Sequence, residues 1–206
     1  MARTVAVLTI DQRSSRSGSD RVPDLLAEIT EVTAAPEAQL LRPFERTAGD
    51  ELQGVIDRPE ALVAVAGALL RREGWYVGIG LGPVEEPLPA SARAGRGPAY
   101  LCAREAVTAA KSSPWGLRVV GEHPDTRSLE TTLWLWAAVL ARRTDRGWEV
   151  ADLVAEGLTY EQVGRRLGIS QSAVSQRAQA AGIVESRRAH ELATTLAARV
   201  LGTEGP

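Results

Sequence analysis

The chain has 206 residues, of which 44% are hydrophobic and 24% are charged, and its formal net charge is -2 at pH 7. This is an ordinary globular composition, and the length suffices for one large or two small domains. Because the chain is net acidic, it has no general attraction for polyanions, so any nucleic-acid contact has to be confined to a local basic face. The single cysteine, Cys102, excludes an internal disulfide and a cysteine-based zinc site.

The hydropathy pattern gives no sign of export or of membrane insertion. The first apolar run, residues 5–10, is too short and too weakly flanked for a signal peptide. No later run approaches the length that spans a bilayer. We therefore expect a cytoplasmic protein with no membrane partner.

The first 122 residues alternate between strand and helix patterns. An apolar run rich in β-branched residues predicts a buried strand that ends at Asp11, and Pro23 opens a segment with helical periodicity. The patterns predict helices at 23–33, 59–72 and 99–110, strands at 5–10, 39–47, 52–57, 76–82 and 115–120, and an exposed loop rich in Pro and Gly at 83–97. This order predicts an α+β domain, residues 1–122, in which helices cover a mixed sheet.

The composition shifts near residues 121–127, which marks a domain boundary, and the chain beyond it has helical patterns throughout. The predicted helices lie at 128–143, 148–156 and 186–201, with a helix pair at 158–182 between the last two. The tryptophans in this region, Trp134, Trp136 and Trp148, are expected to fill the core or a dimer seam rather than to stack on bases. We therefore predict an all-α domain over residues 127–202.

Residues 158–182 predict a helix-turn-helix. Thr159 and Gln162 have the spacing of a capping box at the start of the first helix. Gly168 is expected to end that helix in the left-handed conformation, which glycine adopts without a steric penalty, while Ile169 enters the core. Ser170 is placed to cap a second helix whose Val174 faces inward.

The outer face of the second helix carries side chains suited to DNA. Glutamine pairs with adenine, arginine pairs with guanine or phosphate, and serine bonds to base edges or phosphate. Arginines outnumber acidic residues between 158 and 190, so the segment is locally positive. The predicted DNA-contacting residues are Thr159, Ser170, Gln171, Ser172, Ser175, Gln176, Arg177, Arg187 and Arg188. The expected partner is double-stranded DNA, and a homodimer is favoured because one recognition helix grips DNA weakly.

A second group of residues lies in the N-terminal domain. Asp11 follows the first predicted strand, and Asp50 and Glu51 lie in a predicted hairpin turn, so the three carboxylates are expected at neighbouring strand ends. Such oxygen ligands suit a divalent cation such as Mg²⁺, which usually accompanies a phosphate, and Arg104 is placed to reach the same pocket. The alternative is that Asp50 and Glu51 serve the turn, Asp11 caps the first helical region and Arg104 pairs with an acid such as Glu105.

Three strings carry a family resemblance. TAGDELQG at 47–54, GIGLG at 78–82 and GPAYLCAREA at 97–106 resemble the SatD family, a largely uncharacterised bacterial group, and the resemblance covers most of the chain. In that family similar strings precede a helix-turn-helix. More distantly, the order of a strand-end Asp, a Gly-Asp hairpin, a Gly-Ile-Gly strand and an arginine-bearing helix is similar to class III nucleotidyl cyclases, which implies a cyclase-like α+β domain.

The cyclase likeness implies roles for particular residues. Asp11 and Asp50 would match the two metal-binding aspartates. Arg46 would lie near the base-recognition position, and Arg104 would match the transition-state arginine. The chain departs from the pattern at Tyr100, where the cyclases have an asparagine. Because catalytic groups act as a unit, this loss favours binding over turnover.

The expectations for this domain are therefore a nucleotide ligand, held by Arg46, Glu51 and Arg104, with Mg²⁺ at Asp11 and Asp50. The leading hypothesis is a DNA-binding transcriptional regulator whose N-terminal domain senses a ligand or serves assembly. One alternative is a nucleotide-processing enzyme that uses Asp11 and Asp50 for magnesium and Arg104 for the developing phosphate charge. The other is an adaptor that uses its helix-turn-helix for protein contact, as sigma-like modules sometimes do.

Overall fold

The computed structural model describes residues 3–13, 19–47 and 49–203. The elements in chain order are β1 (Thr4–Gln12), α1 (Val22–Val32), β2 (Arg42–Arg46), β3 (Glu51–Ile56), α2 (Pro59–Arg71), β4 (Trp75–Pro83), α3 (Pro98–Ala110), β5 (Leu117–Val120), α4 (Thr126–Leu140), α5 (Asp145–Ala155), α6 (Tyr160–Leu167), α7 (Gln171–Ala180) and α8 (Ile183–Leu201). The chain forms two compact units. The sheet unit comprises Met1–Trp134 with Leu192–Pro206, and the helical unit comprises Leu135–Glu191. The domain limits predicted from the sequence, 1–122 and 127–202, stay a prediction.

The sheet unit is built on five strands in the order β2-β3-β1-β4-β5. The pairs β2–β3, β3–β1 and β1–β4 are antiparallel, and β4–β5 is parallel, so the sheet is mixed. The first four strands with α1 and α2 form the β-α-β-β-α-β arrangement of ferredoxin-like folds. Helix α3 then provides the crossover that a parallel neighbour of β4 requires. The prediction of a mixed sheet with helices, followed by a helical region, is confirmed.

Both faces of the central strand β1 are buried. Val5 and Val7 lie in a cluster with Ala99 and Ala103 of α3. The alternate residues, such as Leu8, point to the opposite face and are also fully buried. Right-handed crossovers place α1 and α2 together on that second face, where the two helices contact each other. The core of this unit therefore has two layers, one on each side of the sheet.

Helix α3 approaches β4 unusually closely because β4 has glycines where the helix crosses it. A Cβ added at Gly80 would overlap the backbone nitrogen of Ala103 and the backbone oxygen of Ala99. Gly78 meets the backbone of Val107 in the same way. The glycine string of β4 therefore serves helix–sheet packing.

The outer edge of β5 is closed by side chains rather than by another strand. The buried carboxylate of Glu130 on α4 accepts a hydrogen bond from the Val119 N–H at 2.8 Å. The indole N–H of Trp134 donates to the Leu117 carbonyl at 2.9 Å. The Leu117 N–H donates to Ser113 Oγ at 3.0 Å. These bonds satisfy backbone groups that an exposed edge strand would offer to another chain.

The helical unit has a small core of its own. Val150 and Leu153 of α5, Val163 of α6, and Val174 and Ala178 of α7 form one buried cluster. The predicted helices are present, but two of them begin earlier than expected. Helix α5 begins at Asp145, after the N-cap Thr144, rather than at 148, and α8 begins at Ile183 rather than at 186. Among the described residues, no helix combines the length and the apolar character that crossing a membrane requires.

Candidate DNA-binding and ligand-binding sites

The first helix of the predicted motif begins at a complete capping box. The Gln162 N–H donates to Thr159 Oγ1 at 3.3 Å, and the Thr159 N–H donates to Gln162 Oε1 at 2.8 Å. The two bonds satisfy backbone and side-chain groups reciprocally at the exposed start of α6. The predicted start of the helix-turn-helix is therefore present in atomic detail.

The turn between the helices depends on Gly168. This residue has φ 66° and ψ 33°, in the left-handed region, and its N–H donates to the Gly164 carbonyl. Nothing lies within 4 Å of a Cβ added there, so the position selects glycine for its backbone conformation alone. Ile169 follows and packs half-buried against the core cluster of the helical unit.

Helix α7 is held at its start by a serine and along its length by the core. The Ala173 N–H donates to Ser170 Oγ at 3.2 Å. Val174 is fully buried and Ala178 nearly so, which fixes the inner face of α7. Its outer face is polar, with Arg177 half-exposed and four residues exposed, namely Gln171, Ser172, Ser175 and Gln176. A polar helix face offered on a rigid scaffold has the geometry of a recognition helix in a major groove.

Two other residues predicted to contact DNA lie on α8. Arg187 Nε is 3.8 Å from Glu191 Oε1, and Arg188 Nη1 is 3.3 Å from Glu191 Oε2. All three side chains are exposed, so these ion pairs are screened by solvent and leave the guanidinium groups able to reach a phosphate. The structure thus places these arginines on the helix that follows the turn after α7, and their role with DNA stays a prediction.

Near the C-terminal end of β1, the Asp11 carboxylate forms an ion pair with a lysine. Asp11 lies opposite Glu51 in the pairing of β1 with β3. Its carboxylate lies 2.7 Å from Lys111 Nζ, just beyond the end of α3. The hydrogen bond with Asp11 is the main reason that the pKa of Lys111 lies above its ordinary value, and the charge of Asp50 adds to the effect. A cation at Asp11 would therefore have to compete with an ammonium group already in place.

Among the residues that the structure describes, no group of three or more His, Cys, Asp or Glu side chains is arranged to hold a metal ion. The Glu51 carboxylate accepts a hydrogen bond from Thr47 Oγ1 at 2.7 Å. Arg46 Nη2 lies 2.5 Å from Asp20 Oδ1, and this bond is the main reason that the pKa of Asp20 lies below its ordinary value. The magnesium site at Asp11 and Asp50 stays a prediction.

A groove of about 560 Å³ brings two of the predicted ligand residues together. Glu51 and Arg104 both line it, whereas Arg46, Asp11 and Asp50 do not. The groove also contains Arg93 and Arg96, which the sequence reasoning missed because composition marked 83–97 only as a loop. The available signal for a binding wall was the presence of two arginines in a short Gly-rich stretch.

The wall of this groove that carries Arg93 and Arg96 is held by hydrogen bonds. Arg42 Nη2 donates to the Leu88 carbonyl at 2.8 Å. The Tyr100 hydroxyl donates to the Ala92 carbonyl at 2.9 Å, and the Glu45 carboxylate accepts a bond from the Ala92 N–H. Tyr100, the position where the cyclase pattern has an asparagine, therefore serves to fix this wall.

Comparison with known proteins adds one family match. No curated protein matches the sequence. Among solved structures, the chain is similar to a regulator of polyketide synthase expression from Bifidobacterium adolescentis, with 13% identity, coverage of 98% of this chain and 82% of that chain, and a TM-score of 0.32. A TM-score of that size carries no argument about fold or function. Residues 138–181, which include all of α5, α6 and α7 and make up less than half of the chain, match the family Sigma-70, region 4. The helical region therefore contains a helix-turn-helix similar to region 4 of sigma-70.

Proposed function

We propose that this protein is a DNA-binding transcriptional regulator of the bacterial cytoplasm. The observation that carries the proposal is the capped pair α6–α7, in which the buried face of α7 is fixed by the core and its outer face is polar and exposed. The family match over 138–181 supports it independently of the geometry. DNA recognition through base edges needs this combination of rigid placement and hydrogen-bonding side chains.

The roles divide between base contact and backbone contact. Gln171 and Gln176 are assigned to base edges, where an amide bonds bidentately with adenine. Arg177, Arg187 and Arg188 are assigned to phosphate or guanine. Thr159 and Ser170 stand at the starts of α6 and α7, where free N–H groups attract a phosphate. A homodimer would supply two recognition helices for two half-sites.

In this proposal the sheet unit is the sensory part, and its ligand groove supports that role. The groove volume lies within the range of small-molecule sites, and Glu51 and Arg104 line it as a ligand site requires. Membership of the SatD family, a nucleotide ligand and Mg²⁺ bound by Asp11 and Asp50 stay predictions from the sequence resemblance.

The test begins with selection of binding sites from random double-stranded DNA by the full-length protein. We expect an enriched site whose affinity falls steeply with salt, since phosphate neutralisation releases counterions. Gln171→Ala and Arg177→Ala should each weaken binding to that site by about 5- to 150-fold, from the loss of about 1–3 kcal/mol per base contact. Arg127→Ala, an exposed arginine on α4, is the charge-matched control and should bind like the wild type.

Two results would contradict this proposal. The first is that selection enriches no sequence and no salt-dependent binding is seen. The second is that the α7 variants bind the selected site with wild-type affinity, which would remove α7 from the interface. Sequencing the enriched pool also tests the dimer, because two half-sites with a fixed spacing are expected from a two-fold symmetric protein.

A further inference from the structure

We propose that the groove beside α3 binds a small organic anion that also carries hydroxyl or amino groups, and that Arg93, Arg96 and Arg104 hold its anionic end. All three arginines line the groove, which is about 560 Å³ in volume. Guanidinium groups bind carboxylate and phosphate oxygens through parallel N–H donors, so a cluster of them recognises an anion by geometry as well as by charge.

The three arginines differ from Arg42 and Arg118 in having no partner for their side chains among the residues that the structure describes. Within the described part of the chain, the guanidinium groups of Arg93, Arg96 and Arg104 form no ion pair and no hydrogen bond. By contrast, Arg42 donates to backbone carbonyls and Arg118 pairs with a buried glutamate. All three side chains are exposed, so three donors of the same charge around one concavity are available to an anion that enters it.

The remaining polar lining selects against a bare anion. Glu51 and Glu85 also line the groove, so three arginines face two glutamates and the excess positive charge is small. The floor is polar, with Gln53 Nε2 donating to Thr9 Oγ1 at 3.2 Å. Carboxylates and a hydroxyl at these places accept hydrogen bonds from hydroxyl or amino groups. The matching ligand is therefore a small molecule with an anionic end and a hydrogen-bonding body.

The groove is built in advance of any ligand. The wall that carries Arg93 and Arg96 is tied to α3 by the Tyr100 hydroxyl, and Gly95 leaves room for the tyrosine ring, since a Cβ there would overlap it. Burial raises the pKa of Tyr100, so its hydroxyl stays protonated and remains a donor at physiological pH. Val84, Leu88 and Ala92 of the same segment are buried in the core. Because this wall is already ordered, little conformational entropy is lost from it when a ligand binds. Tyr100 is a positioning residue for the wall.

That this ligand is the signal for a regulator rests on the proposed function, but the binding itself does not. The experiment therefore titrates the full-length protein without DNA by calorimetry. The probes are ribose 5-phosphate, citrate and inorganic phosphate, with uncharged ribose as the negative probe. We expect saturable binding of at least one organic anion and none of ribose. A preference for ribose 5-phosphate identifies a phosphate ester as the source of the charge, and a preference for citrate identifies a carboxylate.

The variants assign the binding to the groove. Arg96→Ala and Arg104→Ala should each weaken the preferred anion by about tenfold or more, because each removes charged hydrogen bonds. Arg127→Ala, outside the groove, should leave the affinity unchanged, and circular dichroism checks that each variant is folded. Lack of saturable binding of both organic anions at millimolar concentration would overturn the proposal, whether or not inorganic phosphate binds, and so would wild-type affinity in both groove variants.

Tyr100→Phe tests the positioning role separately. This variant keeps the ring but removes the hydrogen bond to the Ala92 carbonyl. We expect weaker anion binding and faster amide hydrogen exchange at 88–96, and saturation with the ligand should return the exchange rate to the wild-type value. Faster exchange with unchanged affinity would show a structural role only and overturn the positioning assignment. The wider outcomes are also separable, because anion binding without DNA binding contradicts the regulator, whereas DNA binding without anion binding contradicts the groove.

Discussion

The sheet unit and the helical unit both depend on glycine, but for different physical reasons. Gly80 in β4 is needed for space, because a Cβ there would overlap the backbone of α3. Gly168 between α6 and α7 is needed for its backbone angle, with φ 66° and open space around the missing Cβ. The first requirement comes from residues far away in the chain, and the second comes from the residue's own dihedral angles.

The same contrast runs through the contacts that hold each unit. The caps at Thr159 and Ser170 join residues three apart, so the geometry of the helical unit is largely specified by short segments. In the sheet unit, Lys111 meets Asp11 across about half of the chain, and Arg42 holds carbonyls in the segment 88–89. Local contacts are cheap in chain entropy, whereas distant ones depend on the whole fold being formed.

The largest expected effect comes from Gly80→Ala, which should destabilise the sheet unit by about 3 kcal/mol through overpacking of backbone against backbone. Urea denaturation measures the free energy of unfolding, and hydrogen exchange resolves the two units. We expect faster exchange in β4 and α3 with little change in α6 and α7. If exchange accelerated equally in both units, the distinction between them would not hold.

The second-largest loss of stability is expected from replacing Glu130, whose buried carboxylate closes the edge of the sheet at β5. Glu130→Leu leaves the Val119 N–H without its acceptor and removes the partner 2.9 Å from Arg118 Nε, which should cost about 2 kcal/mol. Glu130→Gln keeps an acceptor of the same shape and should cost less. Denaturation curves for the two variants give the comparison. Equal losses in Gln and Leu would mean that the charge matters and the backbone bond does not.

A smaller loss is expected in the helical unit from Gly168→Ala, about 1 kcal/mol, because an alanine is strained in the left-handed region. Gly168→Asn should recover part of this loss, since asparagine tolerates that conformation better. Thermal unfolding followed by circular dichroism provides the measurement. If alanine and asparagine were equally tolerated with no loss, the turn would not require a left-handed residue.

The smallest effect is a pH dependence at His190. Partial desolvation of the surface ring of His190 is the main reason that its pKa lies below the ordinary value of 6.5, and the ring packs edge-on against Trp136 with centroids 5.7 Å apart. As the pH falls through 6.5 the unfolded chain takes up a proton before the folded chain does, so stability is lost on acidification. His190→Gln should flatten the dependence of stability on pH between 7.5 and 5.5. An unchanged pH profile would place its origin elsewhere.

The helix-turn-helix could be predicted almost atom by atom from the sequence, because its determinants are local. The spacing of Thr159 and Gln162 predicts the capping box, and Gly168 predicts the turn. The element order also predicted a mixed sheet, since alternating patterns report which residues are buried. Helix α5 was predicted too, at 148–156, but its start at Asp145 was not. The family match over 138–181 includes this helix together with α6 and α7.

The sequence could not tell which of the residues predicted for a ligand lie together, for a physical reason. Glu51 and Arg104 share a groove, but Arg46 is paired with Asp20 and Asp11 with Lys111. The pattern of residue types cannot tell which nearby cation satisfies an acid, because that depends on how distant elements pack. The arginine-bearing wall was missed likewise, since its position is set by bonds to β2 and α3 rather than by its own sequence.

The way in which β5 is closed also bears on synthesis of the chain. A ribosome delivers Leu117 and Val119 before it delivers Glu130 and Trp134, so a nascent sheet has an open edge until α4 emerges. The sheet unit also includes Leu192–Pro206, whereas the helical unit is one contiguous segment. Truncation at residue 122 would make the open edge permanent, and such a fragment should associate through β5 even though every strand of its sheet is intact.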